Sequence, residues 1–166
     1  MIRQFRTEDA TACCMLIRSC LREDSALSTA IREKLLQAET PGSISERARL
    51  FYVIVYELEG AILGVAGVDM NEIRLLCVLP GYRQRGIGRA LYKHIEAIVP
   101  PDFFSDIFVY SSLQATGFYR ACGFSEKGPV IFSLGDGILH TVFMTRSLQY
   151  RSNSQKCQQE LTRNKN

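Results

Sequence analysis

The sequence has no tryptophan, only two histidines and five prolines, and no long apolar run. Its longest unbroken apolar stretch, residues 61–68, has eight residues and includes two glycines, whereas a helix that crosses a membrane needs about 18. We therefore expect no membrane association. The first nine residues lack the apolar segment and the cleavage site of a secretory signal, which predicts a cytoplasmic protein.

The six cysteines do not form the pattern of a metal site. None of them belongs to a C-x-x-C pair, and neither His94 nor His140 is spaced as a ligand with them. Five of the six lie in apolar-patterned segments, where a free cysteine behaves as a small buried hydrophobe. We therefore predict reduced thiols and no metal cofactor.

Most of the chain also lacks an excess of one charge. The net charge is +3, but four of the 20 basic residues and only one of the 17 acidic residues follow Tyr150. The first 150 residues are therefore formally neutral and lack the basic face that nucleic-acid binding requires. We interpret residues 1–147 as one domain. Residues 148–166 form a polar tail that cannot bury enough apolar surface to fold, so we expect disorder there.

Hydrophobic periodicity and turn residues predict a single α+β domain in which a mixed β-sheet is flanked by helices. The predicted order is β-α-α-β-β-β-α-β-α-β-β, with one crossover helix after the fourth strand. Strands are predicted at residues 2–6, 51–58, 61–69, 72–78 and 103–110, and two more after residue 124. Helices are predicted at about residues 7–21, 26–38, 86–98 and 113–122. Ser43 to Glu46 is a capping-box pattern that predicts a further short helix toward Leu50.

The most informative segment is residues 78–91, in which a strand ends, a loop with arginines follows and glycines open an amphipathic helix. The first N–H groups of a helix have no internal partners, so an anion at that end gains hydrogen bonds and the favourable end of the helix dipole. Gly86 and Gly88 have no Cβ atom, which lets a ligand approach the backbone closely. Because arginine pairs well with phosphate, the segment predicts a pyrophosphate site with three candidate arginines, Arg83, Arg85 and Arg89.

Two common phosphate-binding motifs do not match this segment. A P-loop needs lysine and then serine or threonine after its last glycine, but Gly88 is followed by Arg89. The dinucleotide fingerprint requires a third glycine or alanine where this chain has Leu91. The pattern Arg83-x-x-Gly86-x-Gly88 instead resembles the R/Q-x-x-G-x-G/A motif of the GNAT superfamily of N-acetyltransferases.

A second motif extends the resemblance. The segment Ala115-x-x-Phe118-Tyr119-x-x-x-Gly123-Phe124 is similar to the A-x-x-F-Y-x-x-x-G-F helix of the same superfamily. The predicted element order fits that family over about residues 1–147. This chain departs from the family at Ser112, where an asparagine is frequent.

The resemblance implies acetyl-CoA as co-substrate and an amine as acceptor. The pyrophosphate is expected on the 83–88 loop, the pantetheine arm along the end of the 72–78 strand, and the thioester in a gap between this strand and the 103–110 strand. The cofactor-binding residues that it implies are Leu76, Cys77, Val78, Arg83, Gln84, Arg85, Gly86, Ile87, Gly88, Arg89 and Ser112.

Tyr119 and Glu72 are the candidate catalytic residues, and both positions follow from the resemblance. A tyrosine with pKa near 10 can return a proton to a thiolate with pKa near 8.5 almost without cost, so Tyr119 is expected to be the general acid. Proton transfer from an amine near 10.4 to a carboxylate near 4.3 is uphill by roughly 8 kcal/mol. Glu72 is therefore expected to act as a base only through water. The backbone N–H of Val78 is the expected oxyanion donor.

Several alternatives stay open from the sequence alone. Glu72 could instead be a solvated charge or the partner of Arg74, and the domain could bind acetyl-CoA without turnover, as a sensor or interaction module. Polyamine, aminoglycoside, amino acid and protein N-terminus are all candidate acceptors, and the exposed strands could pair in a homodimer. The acidic residues that could attract a cationic amine are Glu23, Asp24, Glu33, Glu46 and Asp136.

Overall fold

The computed structural model describes residues 1–148, which fold around one seven-stranded β-sheet. Residues 149–166, nearly all of the tail for which we predicted disorder, lie outside the described residues. The sheet order is β1-β2-β3-β4-β5-β7-β6, in which β4 and β5 are parallel and the other neighbours antiparallel. The strands are β1 (Ile2–Gln4), β2 (Tyr52–Leu58), β3 (Ala61–Asp69), β4 (Glu72–Val78), β5 (Asp106–Ser112), β6 (Ser125–Leu134) and β7 (Gly137–Ser147).

Helices pack on both faces of this sheet, which confirms the predicted α+β class. One of them connects the parallel strands β4 and β5, as the crossover pattern predicted. The α-helices of residues 1–148 are α1 (Ala10–Glu23), α2 (Thr29–Ala38), α3 (Pro41–Leu50), α4 (Ile87–Ile98) and α5 (Thr116–Ala121).

Helix α3 begins at Pro41, three residues earlier than the capping-box pattern at Ser43 indicated, so the predicted short helix is a full helix of ten residues. The Thr40 side chain accepts a hydrogen bond from the Ser43 backbone at 3.1 Å, and the Ser43 hydroxyl accepts one from the Thr40 backbone at 3.0 Å. Pro41 fills the first helical position, where a missing N–H costs nothing. Thr40, rather than Ser43, is therefore the N-cap.

The boundaries around β5 also differ from the prediction. β5 starts at Asp106 instead of Phe103, because the chain after Pro100 is still turning: the backbone N–H groups of Phe103 and Phe104 both donate to the Pro100 carbonyl at 3.2 Å. Phe103 is 82% exposed, so its aromatic character does not reflect burial in a strand. After β5, a 3₁₀ turn over residues 113–115 shortens α5 at its start.

Two apolar cores lie on opposite faces of the sheet. On one face α4 buries a stripe that includes Ile87, Leu91 and Ile95, a spacing that places all three on one side of a helix. On the other face α1 and α3 contribute Cys13 and Ile44. Each fully buried aliphatic side chain stabilises the fold by about 1.5–3 kcal/mol, so the two cores hold the central strands between two helical layers.

Strands β4 and β5 pair at one position only. Glu72 lies opposite Phe108, and the described residues contain no later β4–β5 pair. The register of β4 against β3 also shifts after Gly67, which leaves Arg74 without a partner on β3. Such a bulge bends and twists its strand. The carboxyl ends of β4 and β5 are therefore separated by a gap. Helix α4 begins after the loop that leaves the carboxyl end of β4.

Candidate functional site

Helix α4 begins without a side-chain cap, which leaves its first amides available. Gly86 precedes the helix at φ 82° and Gln84 has φ 61°, so both lie in the left-handed region. The first paired amide is that of Ala90, which donates to the Gly86 carbonyl at 2.9 Å. Within residues 1–148 the N–H groups of Ile87 and Gly88 have no partner. This arrangement fits a bound diphosphate.

The two glycines of the loop serve different purposes. A Cβ at Gly86 would meet no atom within 4 Å, so this position requires glycine for its backbone conformation and leaves space above the helix end. A Cβ at Gly88 would lie 3.1 Å from the Phe118 ring and 3.5 Å from Val78. Gly88 therefore allows α5 and β4 to approach the start of α4.

The three candidate arginines surround the helix start, and each already has a contact. Arg83 forms an ion pair with Glu23 at 3.2 Å. The Arg85 guanidinium lies over the Tyr82 ring at 4.9 Å from its centroid. Arg89 donates to the carbonyl of Ala121, the last residue of α5, at 2.8 Å. A phosphate ligand would have to compete with the Glu23 pair for Arg83.

The end of β4 presents alternate peptide groups to the gap. Val78 lies opposite Gly64 on β3, and the next amide, that of Leu79, donates to the Leu63 carbonyl at 2.9 Å. In an antiparallel pair this pattern directs the backbone N–H and C=O of Val78 away from β3, toward β5. Leu76, two residues earlier, points the same way. The backbone of Cys77, by contrast, faces β3, so only two of the three predicted residues offer peptide groups to the gap.

Cys20 of α1 occupies part of this site, which the sequence did not indicate. Its thiol donates to the Val78 carbonyl at 3.2 Å. Hydrogen bonds from the Cys77 thiol and from Arg83 lower the pKa of Cys20 to about 7 despite burial. The hydrogen bond with Cys20, together with burial, raises the pKa of Cys77. Cys20 lies seven residues after Cys13, a spacing that predicts only that both face the sheet.

Tyr119 is buried beside this site, with 5% of its surface exposed. Its ring packs edge-on against Phe118 and Phe124, at centroid distances of 5.1 and 5.3 Å. In the described residues its hydroxyl has no hydrogen-bond partner, and burial raises its pKa, with a further contribution from the nearby Cys77 thiol. The hydroxyl therefore keeps its proton at neutral pH and is available to donate it.

Glu72 stands at the start of β4, where the gap begins. It accepts a hydrogen bond from Arg74 at 2.9 Å, and its side chain is 21% exposed. Of the two interpretations left open by the sequence, the ion pair with Arg74 is present in the structure. The hydrogen bond from Arg74 does not prevent the Glu72 carboxylate from also binding water, since a carboxylate has several acceptor sites.

Ser112 lies away from the 83–89 loop. It ends β5 opposite Thr141 and forms part of the wall of a cavity of about 170 Å³ between the α1–α2 loop and β7. No residue of the 83–89 loop lines this cavity. The structure therefore brings together the loop, the end of β4 and α5, and places Ser112 on a separate wall.

The comparisons agree with this geometry. Residues 23–146 match the model of the acetyltransferase (GNAT) domain family. The chain belongs to that family. It is 28% identical over 130 residues to an uncharacterised N-acetyltransferase of Chlorobaculum tepidum, which covers 75% of each chain. A putative acetyltransferase of Bacillus subtilis is 33% identical over 76 residues, which cover 46% of this chain and 50% of the relative.

Solved structures share the GNAT fold at low sequence identity. A GCN5-related N-acetyltransferase of Rhodopseudomonas palustris superposes with a TM-score of 0.82 at 22% identity, covering 89% of this chain and 95% of that one. The PaiA N-acetyltransferase of Thermoplasma acidophilum, solved in complex with coenzyme A, has a TM-score of 0.67 at 16% identity and covers 89% of this chain and 98% of its own.

Two further observations concern the described part of the chain. None of its helices is both long and apolar enough to cross a membrane. Its histidine, cysteine and acidic side chains form no cluster of three that could hold a metal ion.

Proposed function

We propose that this GNAT protein transfers an acetyl group from acetyl-CoA to a primary amine by direct attack on the thioester. The observation that carries the proposal is the uncapped start of α4 beside the gap between β4 and β5, because it joins an anion site to a cleft that two strands enclose. The acetyl-CoA, when bound, supplies the activated acyl group.

The residues that would hold the co-substrate are those around this start. The free amides of Ile87 and Gly88 would bind the diphosphate, with Arg83 and Arg85 adding positive charge. The peptide groups of Leu76 and Val78 would bind the pantetheine arm. Because the Cys20 thiol already uses the Val78 carbonyl, that contact would have to be exchanged on binding.

Tyr119 would act as the general acid. The residue is buried and its hydroxyl has no hydrogen-bond partner among the described residues; because burial raises its pKa, the hydroxyl is protonated at neutral pH. The ordinary pKa values of a phenol and a thiol differ by about 1.5, and burial of Tyr119 widens this difference, so proton transfer to the leaving thiolate is uphill by more than the ordinary values give. A general acid of this kind contributes a factor of about 10²–10⁴.

Glu72 would assist as a base through water. The direct transfer from an alkylammonium to a carboxylate is too far uphill, as the ordinary pKa values show. Water held by the free lone pairs of the carboxylate can carry the proton away in smaller steps, while Arg74 keeps the side chain oriented.

A coenzyme A release assay over a panel of amines, with acetyl-CoA binding measured by calorimetry, tests this function. We expect saturable binding and acetylated product of the correct mass for at least one primary amine. Binding without turnover of any amine would support the alternative of a non-catalytic sensor. Absence of binding would overturn both.

A further inference from the structure

The thiols of Cys20 and Cys77 meet between helix α1 and strand β4. Cys13, Ile17 and Cys20 follow one another at helical spacing and pack on the same apolar core, so they share one face of α1. Cys77 and Leu75 are two residues apart on β4 and share the face of the sheet that α1 covers. The two thiols are in hydrogen-bond contact. Packing of α1 on β4 therefore brings together two cysteines that are far apart in the sequence.

This pair differs from the other cysteines of residues 1–148 in its access to solvent. Cys20 and Cys77 are partly exposed, whereas Cys13, Cys14 and Cys122 are buried. A thiol buried in apolar surroundings is inert, but a thiolate that solvent can reach is a nucleophile. The pKa of Cys20, lowered to about 7, keeps much of this side chain as thiolate at neutral pH. Cys20 is therefore the attacking sulfur, and Cys77, whose pKa is raised, is its protonated partner.

The pair also lies against the peptide group that the pantetheine arm would use. The Cys20 thiol donates to the Val78 carbonyl at 3.2 Å, and Val78 directly follows Cys77 in β4. Before a pantetheine amide can donate to that carbonyl, the Cys20 thiol must turn away. A bond between the two sulfurs would hold the Cys20 sulfur in place and remove its proton. The carbonyl would then lose its thiol donor and be screened from a pantetheine donor.

We propose that Cys20 and Cys77 are an oxidative modification site, at which a peroxide introduces a reversible disulfide that blocks acetyl-CoA binding. The disulfide itself depends only on the contact between the two side chains. Its effect on acetyl-CoA rests on the proposed function.

The two chemical steps balance with hydrogen peroxide as the oxidant. The Cys20 thiolate attacks one peroxide oxygen, the O–O bond breaks and hydroxide leaves, so Cys20 becomes a sulfenic acid. The Cys77 sulfur then attacks the Cys20 sulfur, the S–O bond breaks, and the oxygen leaves as water with the Cys77 thiol proton. The first hydroxide takes up the proton that the Cys20 thiol released. Two thiols thus lose two electrons, and one peroxide is reduced to two waters.

Tryptic mapping of the peroxide-treated protein tests the bond directly. Trypsin releases Cys20 in residues 19–22 and Cys77 in residues 75–83, and neither peptide contains another cysteine. We expect the two peptides to be joined after peroxide, with free thiols alkylated before digestion, and separate after dithiothreitol. A bond between any other pair, including one with Cys157, would overturn the inference. So would a sulfinic acid at Cys20, which dithiothreitol does not reverse.

Calorimetry with acetyl-CoA tests the effect on binding. We expect the oxidised protein to bind acetyl-CoA about 10-fold more weakly or worse, because the Val78 carbonyl is left without a donor, and dithiothreitol to restore the affinity. Acetyl-CoA added before peroxide should slow disulfide formation. Equal affinities of the two forms would overturn the inference and leave acetyl transfer standing. Absence of binding in the reduced protein would overturn the proposed function and the effect on binding, and the mapping alone would then decide whether the disulfide forms.

Three variants separate the pair from general oxidative damage. Cys20→Ser removes the attacking sulfur, so peroxide should leave the acetyl-CoA affinity of this variant nearly unchanged. Cys77→Ser leaves the sulfenic acid at Cys20 unresolved, and dimedone should label it there several-fold more than in the wild type. Cys14→Ser is the matched control on the same helix, because a serine hydroxyl can still donate to the Glu39 carbonyl as the Cys14 thiol does. It should lose affinity on oxidation as the wild type does.

Two results with these variants would contradict the disulfide. One is a loss of affinity on oxidation in Cys20→Ser as large as that in the wild type, which would assign the damage to another residue. The other is dimedone labelling in Cys77→Ser no greater than in the wild type, which would mean that Cys77 does not resolve the sulfenic acid.

Discussion

Two buried tyrosines, Tyr92 and Tyr119, differ in what their hydroxyl groups contact. This difference predicts which hydroxyl affects the free energy of unfolding and which affects turnover. The Tyr92 hydroxyl donates to Glu96 at 2.7 Å and accepts from Arg146 at 2.8 Å. The Tyr119 hydroxyl has neither kind of partner among the described residues. Removal of the Tyr92 oxygen should therefore lower stability, and removal of the Tyr119 oxygen should lower turnover.

We expect Tyr119→Phe to lower kcat about 100-fold, since it removes the hydroxyl that we propose as general acid and keeps the ring that packs on Phe124. Acetyl-CoA affinity and the free energy of unfolding should stay close to wild type. Tyr92→Phe is the control: it should keep kcat but lose about 1–3 kcal/mol of stability, because Glu96 and Arg146 lose a buried partner. Steady-state kinetics and urea denaturation measure both. Unchanged kcat in Tyr119→Phe would remove Tyr119 from the mechanism.

Cys20 should react with alkylating reagents at unusually low pH. Its pKa is lowered to about 7, below the ordinary value near 8.5, and the thiolate is the reactive form. The rate of iodoacetamide modification at Cys20 should therefore rise to half its maximum near pH 7. Cys13, whose pKa burial raises to about 12, should not react in the folded protein.

Peptide mapping by mass spectrometry assigns the modified residue, and acetyl-CoA should slow the reaction because Cys20 contacts the peptide group expected to bind pantetheine. A half-maximal rate at pH 8.5 or above would contradict the lowered pKa. A rate that acetyl-CoA does not change would argue against a cofactor path along Val78.

At the scale of elements, the loop before α4 depends on a left-handed residue. Gly86→Ala should weaken acetyl-CoA binding about 10-fold, because a side chain costs roughly 1–2 kcal/mol at φ 82° and the loop can relieve it by turning the helix start away. Gly81→Ala is the matched control in the same loop: a Cβ there meets no atom within 4 Å, and Gly81 is not among the positive-φ residues. Calorimetry should show wild-type affinity for the control. Equal affinities in both variants would place the diphosphate away from this loop.

The ends of helices and strands were less predictable than the elements themselves. The capping box predicted from Ser43 to Glu46 does not form, because Ser43 lies inside α3 and is the partner of Thr40 in the capping box that begins the helix. The aromatic residues from Phe103 onward have the composition of a strand. Composition does not show that the turn begun at Pro100 still includes Phe103 and Phe104. By contrast, β2, β3, β4 and α4 agree closely with their predicted limits, because each has a strong apolar period bounded by turn residues.

At the scale of the whole molecule, a partly buried ion-pair network holds the first strand to the start of α1. Arg3 of β1 binds Asp9 through two hydrogen bonds, at 2.7 and 2.9 Å, and Glu57 of β2 at 2.6 Å. These bonds from Arg3, together with one from the Arg6 amide, lower the pKa of Asp9. The stabilisation from Asp9 is therefore present above its unfolded pKa near 3.9 and is lost as pH falls through the lower folded value.

We expect Asp9→Asn to lower the free energy of unfolding by about 3 kcal/mol at pH 7, because Arg3 would lose a buried partner. The difference from wild type should shrink below pH 4 as Asp9 becomes protonated. Glu8→Gln is the control, since its exposed pair with Arg6 at 3.5 Å should contribute less than about 1 kcal/mol. Urea denaturation at pH 7 and pH 3 measures both variants. A pH-independent difference would contradict the role of the Asp9 charge.

The sequence by itself determined the class of fold, the uncapped glycine start of α4 and the two motifs, because each depends on residues close together in the chain. Tertiary structure alone decided the features that join distant segments: the pairing of β4 with β5 at one position, the contact of Cys20 with Val78, and the place of Ser112 on a separate wall. Spacing along one element predicts which side chains share a face. It does not say which other element covers that face, since that depends on how every helix and strand packs at once.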